Sequence, residues 1–140
     1  MIEISNQGEI DLLCCFVNKS SPENIKIKLF VNNITPKKDY SIHNFIELSH
    51  AYYDDIILDA DKWVPQVAKI EDIEANIISY ADVLFTIRGF VGTIYGYYAV
   101  GVNTSTLKFY SVFDNPYKIN VEGATIKTTL NLIAKQFIGR

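Results

Sequence analysis

Residues 93–102 read TIYGYYAVGV, with three tyrosines, two valines and an isoleucine gathered around Gly96. No helix cap or helical spacing interrupts the run. Counted alternately, Ile94, Tyr98, Val100 and Val102 share one side, with Gly96 a gap among them, while Thr93, Tyr95, Tyr97 and Ala99 share the other. A period of two built from aromatic and β-branched residues specifies a strand. Two fairly apolar faces place it centrally in a sheet. Gly96 weakens a strand unless a neighbouring ring or backbone uses the space it leaves, and the alternation predicts Tyr98 beside that space.

The same pattern continues on both flanks. Residues 80–88 form a strand with Val83, Phe85 and Ile87 on one side, and Gly89 to Gly92 a turn. After a loop at Asn103-Thr104-Ser105, residues 107–113 turn Leu107, Phe109 and Phe113 inward and Lys108 and Tyr110 outward. Asp114-Asn115-Pro116 reads as a turn, followed by an alternating face of Tyr117, Ile119 and Val121. Glu122-Gly123-Ala124 leads to a last strand, residues 125–132, alternating Ile126, Thr128, Leu130 and Leu132. Connections this short predict antiparallel neighbours.

Upstream, Asn6 with Glu9 three residues on forms a capping box. Ile10, Leu13, Cys14 and Val17 follow at helical spacing, predicting an amphipathic helix over residues 7–18, stopped before Pro22. Residues 25–31 alternate Ile25, Ile27, Leu29 and Val31 inward against Lys26, Lys28 and Phe30 outward, ending in turn chemistry at Asn32-Asn33 and Pro36. Residues 56–59 form a short strand, and Trp63 suits a large ring pinned under a loop or at a sheet edge. The predicted fold is mainly β: an antiparallel β-sandwich or flattened barrel with one short N-terminal helix. Its second layer comes from residues 25–31 and 55–59. Phe85, Tyr98 and Val100 are expected buried, and Lys26, Lys28 and Lys108 exposed. Residues 1–140 make a single domain, with residues 133–140 available as an arm.

Composition excludes several classes. At 140 residues, 49% hydrophobic and 21% charged, the chain can bury a core large enough to offset its ordering entropy. Nine tyrosines and eight phenylalanines favour β structure. A net charge of −3 with scattered Lys and Arg leaves no basic stripe for phosphates, so nucleic acid is not an expected partner. The opening MIEISNQGEIDLL has acids and no basic n-region, so no signal peptide is expected. No apolar run approaches the ~18 residues of a membrane span, so no membrane is expected either. Synthesis and folding in a cytoplasm follow.

The search for chemistry yields little. Cys14 and Cys15 are adjacent, an arrangement that disulfide geometry disfavours, and no zinc pattern completes them; they read as two small hydrophobes in a helix. His43 and His50 lie near Asp54, Asp55, Asp59 and Asp61, but at no metal-ligand spacing. Clustered acids in a loop are usually a solvated face, although a small hydrolase using His50 with Asp54 or Asp55 can be drawn. There is no phosphate-binding glycine loop and no nucleophile elbow. No catalytic residues, no metal and no cofactor are assigned, and the chain is not expected to be an enzyme.

The outward aromatics carry more. Phe30, Tyr95, Tyr97 and Tyr110 fall opposite the predicted core, so either a loop or the helix covers them or they form a contact surface. Such a surface also suits a carbohydrate-binding module. The apolar tail, residues 133–138, either pairs along the sheet or reaches a neighbouring subunit. Phe137 and Ile138 are its contact candidates.

Several stretches, in order, resemble a family of small, mostly uncharacterised tailed-phage proteins of marine and cyanobacterial phages. They are Gly8-Glu9 and Leu12-Leu13, then Leu29-Phe30-Val31-Asn32-Asn33 with Pro36, then Phe45, Glu47, Tyr52 and Trp63, then Phe85-Thr86 and Ile94-Tyr95-Gly96-Tyr97-Tyr98. The chain departs from the pattern at Ala51, where a glycine usually precedes the tyrosine, and at Gly123-Ala124, where Gly-Asp is usual. The resemblance covers most of the chain. It implies a virion structural protein, first a capsid decoration or cement protein and second a tail, fibre or adaptor component. Its expected partners are the major capsid protein, other virion proteins and further copies of itself as a homo-oligomer. It implies no catalytic residues.

Overall fold

The structure is a computed structural model that describes residues 1–134. Two antiparallel sheets face each other. The first has the order β1-β7-β6-β2-β3, from β1 (Glu3–Ile4), β2 (Ile25–Phe30), β3 (Ile56–Ile57), β6 (Gly92–Gly101) and β7 (Leu107–Ile119). The second has the order β4-β5-β8, from β4 (Val64–Ile70), β5 (Ile73–Ile87) and β8 (Ala124–Ala134). A helix, α1 (Asn6–Phe16), follows β1. Among the described residues both sheets keep open edges, so the molecule is a sandwich-like fold and not a closed barrel.

The second layer is not the one expected. Residues 25–31 and 55–59 join the first sheet beside β6, and the opposing layer is β4-β5-β8. The short links at residues 88–91 and 120–123 carry the chain from sheet to sheet instead of closing hairpins. The Arg88 N–H donates to the Tyr52 carbonyl (2.8 Å) and the Gly123 N–H to the Ile87 carbonyl (3.0 Å), which holds both crossings. Crossing is favoured because it sets Val83, Phe85 and Ile87 against Ile27, Leu29 and Ile94, all of them buried. β4, not expected as a strand, is an edge strand and so tolerates Pro65. Its turn to β5 places Glu71 and Asp72 at φ 51° and 64°. This two-residue left-handed turn lacks the Asn-Gly signature that marks such hairpins in a sequence.

The pairing of β6 with β7 is interrupted twice, between Ile94 and Gly96 and between Ala99 and Val100. At the first break Tyr95 stands opposite residues 113–116, so Asp114-Asn115-Pro116 is an excursion within one continuous strand and not a turn between two. The break also shifts the alternation read from the sequence. Ile94 joins Tyr97 and Ala99 in the core between the sheets, whereas Tyr98 and Val100 belong to a second cluster on the outer side of the first sheet. At the second break Lys108 is the extra residue, and Leu107 turns outward with Tyr110.

That outer side is covered. Residues 31–49 fold back over it, and Phe45 stacks on Tyr98 with centroids 4.6 Å apart and meets the edge of Phe30 at 5.0 Å. Phe30 and Tyr110 are therefore buried, at 0% and 4% exposure, and Tyr95 is half-buried, while Tyr97, at 4%, is buried on the opposite face. Of the two readings of Phe30, Tyr95, Tyr97 and Tyr110, the folded chain shows cover and not an open contact surface: a loop covers three of these rings, and Tyr97 points between the sheets. The ring that uses the space at Gly96 is Phe30, its cross-strand partner, rather than Tyr98. Phe85, Tyr98 and Val100 are buried as expected. Trp63 packs edge-on against Tyr80 at the start of β4 (5.2 Å), at a sheet edge as read.

α1 is capped by Ser5, one residue before the expected Asn6: its Oγ accepts the Gly8 N–H (2.9 Å) and donates to the Leu107 carbonyl (2.7 Å). Gly8 is buried against the Lys108 carbonyl, where a Cβ has no room. The helix thus sits on the β7 irregularity through Gly8 and Asp11. The face predicted to turn inward is solvated, with Ile10, Leu13 and Val17 all at least half exposed. Residues 133 and 134 are not an arm but the end of β8, paired with Ile77 and Asn76. Phe137 and Ile138 lie outside the described residues.

Candidate functional site

Lys28 leaves β2 on the outer side, opposite Tyr98. Its ammonium lies 3.0 Å from Glu47 Oε1 and 3.3 Å from Asp55 Oδ2. Glu47 Oε2 accepts the Tyr53 hydroxyl proton (2.6 Å) and sits 2.7 Å from His50 Nε2, which is 3.6 Å from Asp55. Tyr53 is fully buried, and its hydroxyl also accepts the Leu29 N–H (3.1 Å) on a stretch of the β2 edge that β3 does not reach. Burial, then the Glu47 hydrogen bond, push the Tyr53 phenol far above its usual range, so it stays a donor. Tyr53→Phe removes both bonds and strands a backbone N–H; a loss of about 1–3 kcal/mol is expected in urea unfolding. No change would show that water replaces the hydroxyl.

Of the residues read from the sequence, His50 and Asp55 come together, and Glu47 completes the cluster. Asp54 instead pairs with Arg88 (3.2 Å), and Asp59 caps its own turn through the Asp61 N–H. Lys28 is not the exposed lysine expected: its side chain is 14% exposed, because the returning loop brings two carboxylates over it. Among the described residues Glu47, His50 and Asp55 could hold a cation, their ligand atoms lying within 4.8 Å of one another. The Lys28 ammonium already occupies the space between the carboxylates. The arrangement is a charge-compensated clasp that fastens residues 47–55 to β2.

A second clasp lies under α1. Lys108, also expected exposed, is 13% exposed and pairs with Asp11 (2.6 Å) and Glu23 (3.3 Å). The β7 irregularity turns it there. Glu23 Oε1 accepts the N–H groups of Asn103 and Thr104, and Oε2 the Thr104 hydroxyl. Burial alone would raise the Glu23 pKa, but these bonds and Lys108 outweigh it and bring it down from 4.5 to about 2. Asp11 is lowered likewise, its burial outweighed by Lys108, Gln7 and Thr106. A carboxylate depressed on folding contributes stability that is present above its unfolded pKa and lost as pH falls through the folded one. Glu23→Gln is therefore expected to remove about 1–3 kcal/mol at pH 7 and to flatten the stability loss between pH 4.5 and 2. A wild-type acid limb in the variant would contradict this geometry.

The third feature is an apolar cleft of about 820 Å³ between α1 and the far ends of β4, β5 and β8. Leu12, Cys15 and Phe109 form one wall, and Val67, Ile78 and Leu132 the other. The sheets part here because β5 runs on past the end of the core: Tyr80 is buried, while Ile78 and Val67 are 37% and 64% exposed. Sequence reasoning missed the cleft, since helical spacing marked the wrong face of α1 as the docked one. The buried Gly8 was the available signal. No family model matches the chain, and neither curated proteins nor solved structures give a match.

Proposed function

We propose that this chain is a phage virion structural protein, in the first place a capsid decoration or cement protein that contacts the major capsid protein. The observation that carries the reading is the ordered set of motifs from Gly8-Glu9 to Ile94-Tyr95-Gly96-Tyr97-Tyr98, spread over most of the chain. The exposed apolar helix beside an open cleft supports it, since proteins used in many copies on a symmetric shell need repeated subunit contacts. A tail, fibre or adaptor component is the second reading and uses the same surface. The carbohydrate-binding reading loses its motive, because Tyr97 and Tyr110 are buried. Mass spectrometry of purified particles from the encoding phage, with cryo-electron microscopy of the same sample, is the test. Stoichiometric presence with density on the capsid shell is expected. Density on the tail selects the second reading, and absence from the particle overturns both.

A further inference from the structure

α1 presents its apolar residues to solvent along most of its length. Phe16 is 88% exposed, and Leu12, Leu13 and Val17 are at least half exposed. Leu12 and Phe16 are one helical turn apart, so the stripe that lines the cleft runs on to Phe16. A large exposed apolar surface beside a concavity marks an interaction site. We propose that a second copy of this chain docks here, the α1 of each copy lying over the cleft of the other about a twofold axis.

The chemistry of the surface selects that occupant. No charged residue occurs at positions 12–18, 63–68, 75–81 or 128–134, which supply the helix stripe and the opposite wall. The charges at the rim, Asp11, Glu23 and Lys108, are paired with one another. A polyanion or a charged peptide finds nothing to pair with, whereas two copies meet there without like-charge repulsion despite a net charge of −3 each. A lipid surface is disfavoured as well. Helices that lie on membranes carry Lys or Arg on their polar face, and residues 6–17 contain neither. The surface is also self-complementary, a convex helix next to a concave cleft, as an isologous contact requires. The Ser5 cap and the Gly8 seat hold α1 in place before any partner arrives. The inference uses the surface that also supports the virion reading, but its test does not depend on that reading, since a dimer in solution needs no particle.

Sedimentation equilibrium of the full chain over a hundredfold concentration range tests it, together with the reactivity of the Cys15 thiol in the cleft wall. Twice the mass of one chain is expected at micromolar concentration. Phe16→Glu changes an exposed position and is expected to give a monomer of unchanged far-UV circular dichroism, with thiol modification at least tenfold faster. Val67→Glu on the opposite wall repeats the test if Phe16→Glu folds poorly. A monomer across the whole range, or an unchanged mass in both variants, overturns the proposal. So does flotation of the wild type with phosphatidylcholine vesicles, which would make a membrane the occupant. A wild-type monomer whose Cys15 becomes reactive only on truncation after Ala134 overturns it in favour of the chain's own tail.

Discussion

Phe45→Ala is expected to cost about 3–5 kcal/mol, as deletion of a buried aromatic ring usually does. Phe45 comes from a loop, yet it is 6% exposed and stacks on Tyr98 at 4.6 Å with an interplanar angle of 10°. It also contacts Phe30 edge-on, and Tyr40 and Tyr110 at centroid distances of 6.3 and 6.0 Å. Removing it opens the outer cluster to water and unfastens residues 31–49 from the sheet. The neighbouring Ile46→Ala is the control: Ile46 is 60% exposed, and its loss should stay within about 0.5 kcal/mol. Denaturant unfolding of the two variants side by side decides the matter. Equal, small losses would mean that the loop is a loose cover and that the outer aromatics are available to a ligand after all.

Gly96→Val is expected to destabilise by about 3 kcal/mol, at the upper end of overpacking effects. A Cβ at this position meets the Ser111 carbonyl oxygen and, at 2.7 Å, two atoms of the Phe30 ring. The ring has some freedom to tilt, but the carbonyl belongs to the paired β7 backbone and cannot yield without breaking the ladder at Gly96 and Val112. Gly96→Ala should already show most of the loss. Adding Phe30→Leu to Gly96→Ala should recover little of it, because the backbone contact remains. A melting temperature unchanged in Gly96→Val would show that the β6–β7 register differs from the one described.

The local patterns that were legible share one property: their physics is contained in neighbouring residues. Ile27 and Leu29 against the core, Val83, Phe85 and Ile87 on one side of a strand, and Ile126 and Leu130 on another all follow from a period of two. The helix was legible from its start signal and length, although Ser5 and not Asn6 is the cap. The candidate site was much less so. Residues 28, 47, 50, 53 and 55 belong to a strand and a loop far apart in the chain, and nothing in their spacing announces that they meet.

What the sequence by itself determined is the class: a β-rich chain, antiparallel, with one short helix and a core set by alternation, because pleat and hydrophobic burial act residue by residue. What only the tertiary structure decided is which faces are covered. The irregularity against β7 between Ile94 and Gly96 shifts the alternation of TIYGYYAVGV, so Ile94 and Tyr98 part to opposite sides. A 19-residue loop buries aromatics that alternation had turned outward, and the seat of Gly8 on the Lys108 carbonyl turns the apolar stripe of α1 to solvent. Each of these depends on contacts between residues far apart in the chain, where packing and backbone pairing override the period of any single element.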